Sequence, residues 1–129
     1  MKHNGMKRLP DTELEVMKAL WDSGPETPRA ELERRLASFG WAANTINTYL
    51  TRLADKGFVS VLRSGKSNRY TPLVSREEYN EWATGDLIRR LYRGSAKNLV
   101  AALIHSDSLS QADVEELRKS FHVEGAEDA

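Results

Sequence analysis

The sequence predicts a mainly α-helical chain with one small β-hairpin, on three observations. Apolar residues recur at three- and four-residue spacing in six segments. Capping residues and glycines punctuate those segments at their ends. Once only, between the third and fourth segments, the period switches to alternation: Phe58-Val59-Ser60-Val61-Leu62-Arg63 and Arg69-Tyr70-Thr71-Pro72-Leu73 flank the turn cluster Ser64–Asn68.

Each element follows in order. The first helix opens at Asp11 or Thr12, with Thr12 and Glu15 at capping-box spacing, and turns Leu14, Met17, Leu20 and Trp21 to one face before Gly24-Pro25 stops it. Thr27-Pro28 restarts the chain as an N-cap and first-turn proline, with Leu32, Leu36 and Phe39 as the buried stripe and Gly40 as the stop. A third helix spans about Asn44–Lys56, burying Ile46, Leu50 and Leu53. In the hairpin, Pro72 is expected to keep the returning strand at an edge. Ser75 and Glu78 form a second capping box ahead of a long helix ending at Gly94. Ser95 caps a short helix, and Ser110 caps the last one, with Leu109 placed to staple against Val114.

Three helices followed by a hairpin is the winged helix-turn-helix plan. The expected organisation is a flexible N-terminus over 1–8, a winged helix-turn-helix domain over 9–74, a helical dimerisation segment over 75–122 and a disordered acidic tail over 123–129. The last helices offer Tyr79, Trp82, Leu87, Leu91, Leu99, Val100, Leu103, Ile104, Val114, Leu117 and Phe121 as apolar positions. Some 50 residues supply too little core to stand alone, so these faces are expected to complete each other across a two-fold axis, giving a homodimer.

Composition narrows the function. The 129 residues carry 19 Lys+Arg and 19 Asp+Glu, but residues 1–75 hold 12 basic against 8 acidic (+4) and residues 76–129 hold 7 against 11 (−4). A basic half joined to an acidic half suits a polyanion partner at one end. Cysteine is absent, which excludes disulfides and thiolate metal sites. No apolar run is long enough for a membrane span and no signal-peptide pattern opens the chain, so it reads as a cytoplasmic protein without a membrane partner. His3, His105 and His122 are scattered, and no nucleophile–base pair is evident. Gly65-Lys66-Ser67 resembles the end of a phosphate loop, but Ser60 stands where its first glycine belongs. No cofactor, metal or enzymatic activity is expected.

The third helix carries the functional signal. With Ile46, Leu50 and Leu53 inward, Asn44, Thr45, Asn47, Thr48, Thr51 and Arg52 share its outer faces, and no acid appears before Asp55. A merely solubilising face would more often be Glu/Lys-rich, since Thr and Asn are weak helix formers. The major groove admits one α-helix, and these side chains match it: Asn pairs bidentately with adenine, Thr meets a thymine methyl or phosphate, and Arg takes guanine or phosphate. Arg63, Lys66 and Arg69 give the hairpin a basic tip suited to phosphate or the minor groove. The expected partner is double-stranded operator DNA. A winged-helix protein-interaction module that does not bind DNA, and a ligand-sensing regulator of the same fold, are the alternatives.

Three stretches carry a family resemblance: Leu14-Glu15-Val16-Met17 with Leu20-Trp21; Asn44-Thr45-Ile46-Asn47-Thr48-Tyr49-Leu50-Thr51-Arg52-Leu53 with Lys56-Gly57-Phe58-Val59; and Asn68-Arg69-Tyr70-Thr71-Pro72-Leu73-Val74. Together with Leu109-Ser110-Gln111 and Glu115-Glu116-Leu117, they make the chain resemble the BlaI/MecI/CopY penicillinase-repressor family over residues 9–121. The resemblance implies a dimeric winged-helix repressor of transcription on a pseudo-palindromic operator, with third-helix and wing residues on DNA and the last three helices forming the dimer. It also implies a sensor or protease partner that relieves repression by cleavage between an Asn and a Phe; the matching positions here are Ala102 and Leu103. The Cys-rich C-terminus of the copper-responsive branch has no counterpart in this chain.

Overall fold

The computed structural model describes residues 5–121; the acidic tail and His122 lie outside the described residues, as do residues 1–4 of the N-terminus. The elements run α1 (Asp11–Ser23), β1 (Thr27–Pro28), α2 (Arg29–Arg35), a 3-10 turn (Ala37–Phe39), α3 (Ala43–Asp55), β2 (Val59–Ser64), β3 (Ser67–Pro72), α4 (Arg76–Tyr92), α5 (Ala96–His105) and α6 (Gln111–Phe121). The chain divides into two compact units, 1–83 and 84–129, so that α4 starts in the first and ends in the second. Residues 75–83, read from sequence as part of the dimerisation segment, therefore belong with the winged-helix unit.

The first unit is built around a closed core. Val16, Met17 and Leu20 of α1, Leu32 and Leu36 around α2, Ile46, Leu50 and Leu53 of α3, Phe58, Val59 and Tyr70 of the hairpin and Tyr79 of α4 are all buried together. Each such side chain contributes about 1.5–3 kcal/mol on leaving water. Leu9 joins the core and donates its N–H to the Tyr79 hydroxyl at 2.8 Å, while Met6 packs partly buried against it. The one buried charge among the described residues, Glu13, is paired with Lys56 at the end of α3, which ties α1 to that helix.

Several local expectations are corrected. The Thr12–Glu15 capping box does not form: Pro10 occupies the N-cap and accepts from the Leu14 N–H at 2.9 Å, and Asp11 and Glu13 supply first-turn acids instead. Thr27-Pro28 is a short strand, not a helix start. It pairs antiparallel with β3 (Thr27 with Tyr70, Pro28 with Arg69), making β3 the centre of a β1-β3-β2 sheet. Pro72 is tolerated on that central strand because β1 ends before reaching it. Phe39 is 44% exposed, because the chain tightens to a 3-10 turn after α2 and rotates the ring out to stack on Trp41, with centroids 4.5 Å apart. Tyr79, expected in an interface, is spent on the core at 3% exposure, and Trp82 packs against the same cluster.

The α4 capping box does form. The Glu78 N–H donates to Ser75 Oγ at 3.0 Å and the Ser75 N–H to Glu78 Oε1 at 2.9 Å. In the second unit, Gly94 (φ 85°) closes α4 and donates its N–H to the Ile88 carbonyl. Ser95 Oγ caps α5 by accepting from the Asn98 N–H, and Ser110 and Asp113 exchange a reciprocal pair of capping bonds at α6. No described residue between 84 and 121 is buried. Leu87, Leu99, Leu103 and Val114 are half-buried; Leu91, Val100, Ile104, Leu117 and Phe121 are exposed.

Candidate nucleic-acid interface

The candidate reading face is on α3. Its apolar residues Ile46, Leu50 and Leu53 are turned inward, which fixes the helix roll and leaves Asn44, Asn47, Thr48, Thr51 and Arg52 exposed and Thr45 half-exposed. No acidic residue occupies its first turn. Ala42, in extended conformation, starts α3 without a side-chain cap, and its carbonyl accepts from the Thr45 and Ile46 N–H groups. The Thr48 hydroxyl donates back to the Asn44 carbonyl at 3.0 Å, which leaves its lone pairs and methyl group outward.

The wing is a two-residue hairpin. Gly65, at φ 62°, supplies the positive φ required at the first central position of a II′ turn, and Lys66 follows it at the tip. The alternation of the ladder separates the three basic residues expected to act together. Arg63 pairs with Asn68 on the face that also carries Val59 and Tyr70, whereas Arg69 pairs with Leu62 on the other face. Arg69 donates to the Glu26 carbonyl at 3.2 Å and so braces the loop before β1. Arg63 and Lys66 instead line a cleft of about 280 Å³ together with Arg29, Glu33, Asn68 and Tyr70.

Arg29 is the residue that sequence reasoning missed. It stands at the first position of α2, where the helix dipole favours acids over bases. That inverted placement was the available signal. Its guanidinium crosses to α3, donating to the Ala43 carbonyl and, at 3.1 Å, to Asn47 Oδ1. Its Nε lies 3.1 Å from Glu33 Oε2, an ion pair without hydrogen-bond alignment. One side chain thus touches the reading helix and lines the wing cleft. Among the described residues no cluster of three or more potential metal ligands occurs, and no helix is long and apolar enough to cross a membrane.

An exposed helix face with no acid before Asp55 and a basic hairpin beside it can engage duplex DNA, and comparison with known proteins places it in a lineage. A family model described as penicillinase repressor matches residues 9–122. The chain belongs to the penicillinase repressor family. The penicillinase repressor of Bacillus licheniformis is 30% identical over 115 residues, covering 87% of this chain and 90% of that protein. The methicillin resistance regulatory protein MecI of Staphylococcus aureus (strain N315) is 29% identical over 115 residues, with 89% and 94% covered. Among solved structures, the DNA-binding domain of the repressor BlaI superposes with a TM-score of 0.50 at 33% identity, covering 56% of this chain and 88% of that one. The fold of this family member is accordingly a winged helix, and the family consists of repressors, not enzymes.

Proposed function

We infer that this chain is a DNA-binding transcriptional repressor that inserts α3 into the major groove of an operator and braces the duplex with the wing. The carrying observation is the outward face formed by Asn44, Asn47, Thr48, Thr51 and Arg52, with Thr45 at its edge and no acid before Asp55, in a member of a repressor family. Lys66 and Arg63 reach phosphate or the minor groove from the hairpin tip; Arg69, braced on Glu26, contributes from the opposite face. The repressor works in the cytoplasm as a homodimer. The exposed Leu91, Val100, Ile104, Leu117 and Phe121 support that reading, with Leu87, Leu99, Leu103 and Val114 half-buried, because a unit with none of its described residues buried needs a second copy to close a core. Two reading helices then address half-sites one helical turn, or a multiple of it, apart.

A sensor or protease partner that relieves repression has to accept Ala102-Leu103, half-buried on α5, in place of an Asn-Phe pair. The deciding experiment is a mobility shift on DNA from the gene's own promoter region. Specific binding that weakens by about 0.9 log unit per neutralised phosphate for each log unit of salt is expected. Arg52→Ala should cost roughly tenfold in affinity, one good base contact, and leave the oligomeric state intact. Equal affinity for scrambled duplex overturns specific repression, and absence of binding to either duplex favours the protein-interaction module.

A further inference from the structure

The contact between Arg29 and Asn47 bears on which base the reading helix selects, given the DNA-reading role proposed above for α3. Arginine only donates, so the amide of Asn47 has one acceptable orientation beside it. Oδ1 faces the guanidinium, because the reverse would set N–H groups against N–H groups. The arginine is itself held, by the Ala43 carbonyl on one side and Glu33 on the other, so it does not follow Asn47 but fixes it. Bidentate pairing with adenine needs both arms of a free asparagine amide, the oxygen accepting from N6–H and the nitrogen donating to N7. The oxygen keeps a second lone pair, but a guanidinium held against it crowds and repels an approaching N6–H, so the N–H donors are what Asn47 offers best.

We infer that Arg29 is a specificity-determining positioning residue, which holds Asn47 as a donor and directs it to a base presenting acceptors. Guanine, with O6 and N7 side by side in the major groove, meets two N–H donors; adenine meets one and leaves its own N6–H facing nothing. The wild-type repressor therefore favours guanine over adenine at the base pair under Asn47. Freed from Arg29, the same amide turns to adenine.

Selection of bound duplexes from a library randomised across the half-site, with the full-length chain, tests this. Arg29→Ala should move the adenine-to-guanine ratio by about tenfold at one base pair per half-site, the scale of a single bidentate contact. That base pair should be the one at which Asn47→Ala erases the preference, and the double variant should match Asn47→Ala alone. Should Arg29→Ala fail to fold by circular dichroism, Arg29→Lys carries the same test, since it keeps the charge on one nitrogen but lacks the fork that reaches both partners. A uniform loss of recovery across all duplexes, with base preferences unchanged, overturns the inference and leaves Arg29 a phosphate or scaffold contact. Failure of the DNA reading itself looks different: the wild type then enriches no sequence at all.

Discussion

The two units of this chain use hydrophobic side chains in opposite ways. The first buries leucines, aromatics and even a carboxylate in a core shared by four helices and a three-stranded sheet. The second caps its helices as carefully, at Ser95 and Ser110, yet leaves Ile104 46%, Leu117 45% and Phe121 69% exposed. Capping satisfies the backbone of a helix but supplies no core, and most helical stability comes from packing an apolar face. The difference teaches that local regularity and tertiary self-sufficiency are separate properties. On the function proposed above, the first unit holds its reading helix rigid whether or not a partner is present, and the second keeps its apolar face available for a second copy.

All three tryptophans, Trp21, Trp41 and Trp82, lie in the first unit, so their emission reports on it alone. The largest effect should come from Lys56→Ala. Removing the ammonium strands the Glu13 carboxylate, which is 2% exposed, and costs about 3 kcal/mol, the low end for a broken buried pair because Lys56 keeps some solvent contact. The tryptophan-detected denaturant midpoint should fall accordingly, and by the same amount at any protein concentration. A concentration-dependent loss would break the comparison, because it would make the first unit's stability depend on association.

The converse substitution is the pair Ile104→Asp with Leu117→Asp, on the two short helices of the second unit. Sedimentation should show monomer in place of dimer, while the tryptophan transition stays where it was. Operator affinity should fall by about 100-fold, the avidity lost when the second half-site is no longer held nearby. In the unaltered protein, far-UV helicity from the second unit should melt at a temperature that rises with concentration, as mass action requires. A stable dimer carrying both aspartates would move the association surface elsewhere.

How much of this was legible in the sequence follows the same division. The inward residues of α3 and the caps at Ser75, Ser95 and Ser110 were readable, because periodicity and capping are local codes. Thr27-Pro28 was misread because a two-residue strand has no period. Its strand character comes from Tyr70 and Arg69, distant in sequence. Tyr79 was misassigned for a related reason. Its place in α4 was visible, but its partners Leu9, Phe58 and Trp21 are set by tertiary packing. Within the site, residue types on α3 announced themselves, whereas the Arg29–Asn47 contact joins two helices and no spacing encodes it. Arg63 and Arg69 looked equivalent as charges on one tip until strand register put them on opposite faces.

The smallest effect tests the exposed rim of the first unit. Asp22, at the end of α1, accepts from Arg76 of α4 at 2.6 Å, and the same guanidinium lies 5.5 Å from the centre of the Trp21 ring. That hydrogen bond, with the nearby charges of Arg76 and Arg35, outweighs the partial desolvation and holds the Asp22 carboxyl below its ordinary range. A depressed folded value means the pair stabilises above the unfolded pKa of aspartate and that this contribution drains away as pH falls through the folded one. Solvent screens so exposed a bond, so the contribution is small at neutral pH and smaller in high salt. Asp22→Asn should lower the tryptophan-detected midpoint slightly at neutral pH, and the two curves should converge in acid, where the wild-type carboxyl is protonated as well. An offset that persists unchanged through the acid range would instead assign the loss to packing around Trp21, and the rim of the first unit would then belong to its core.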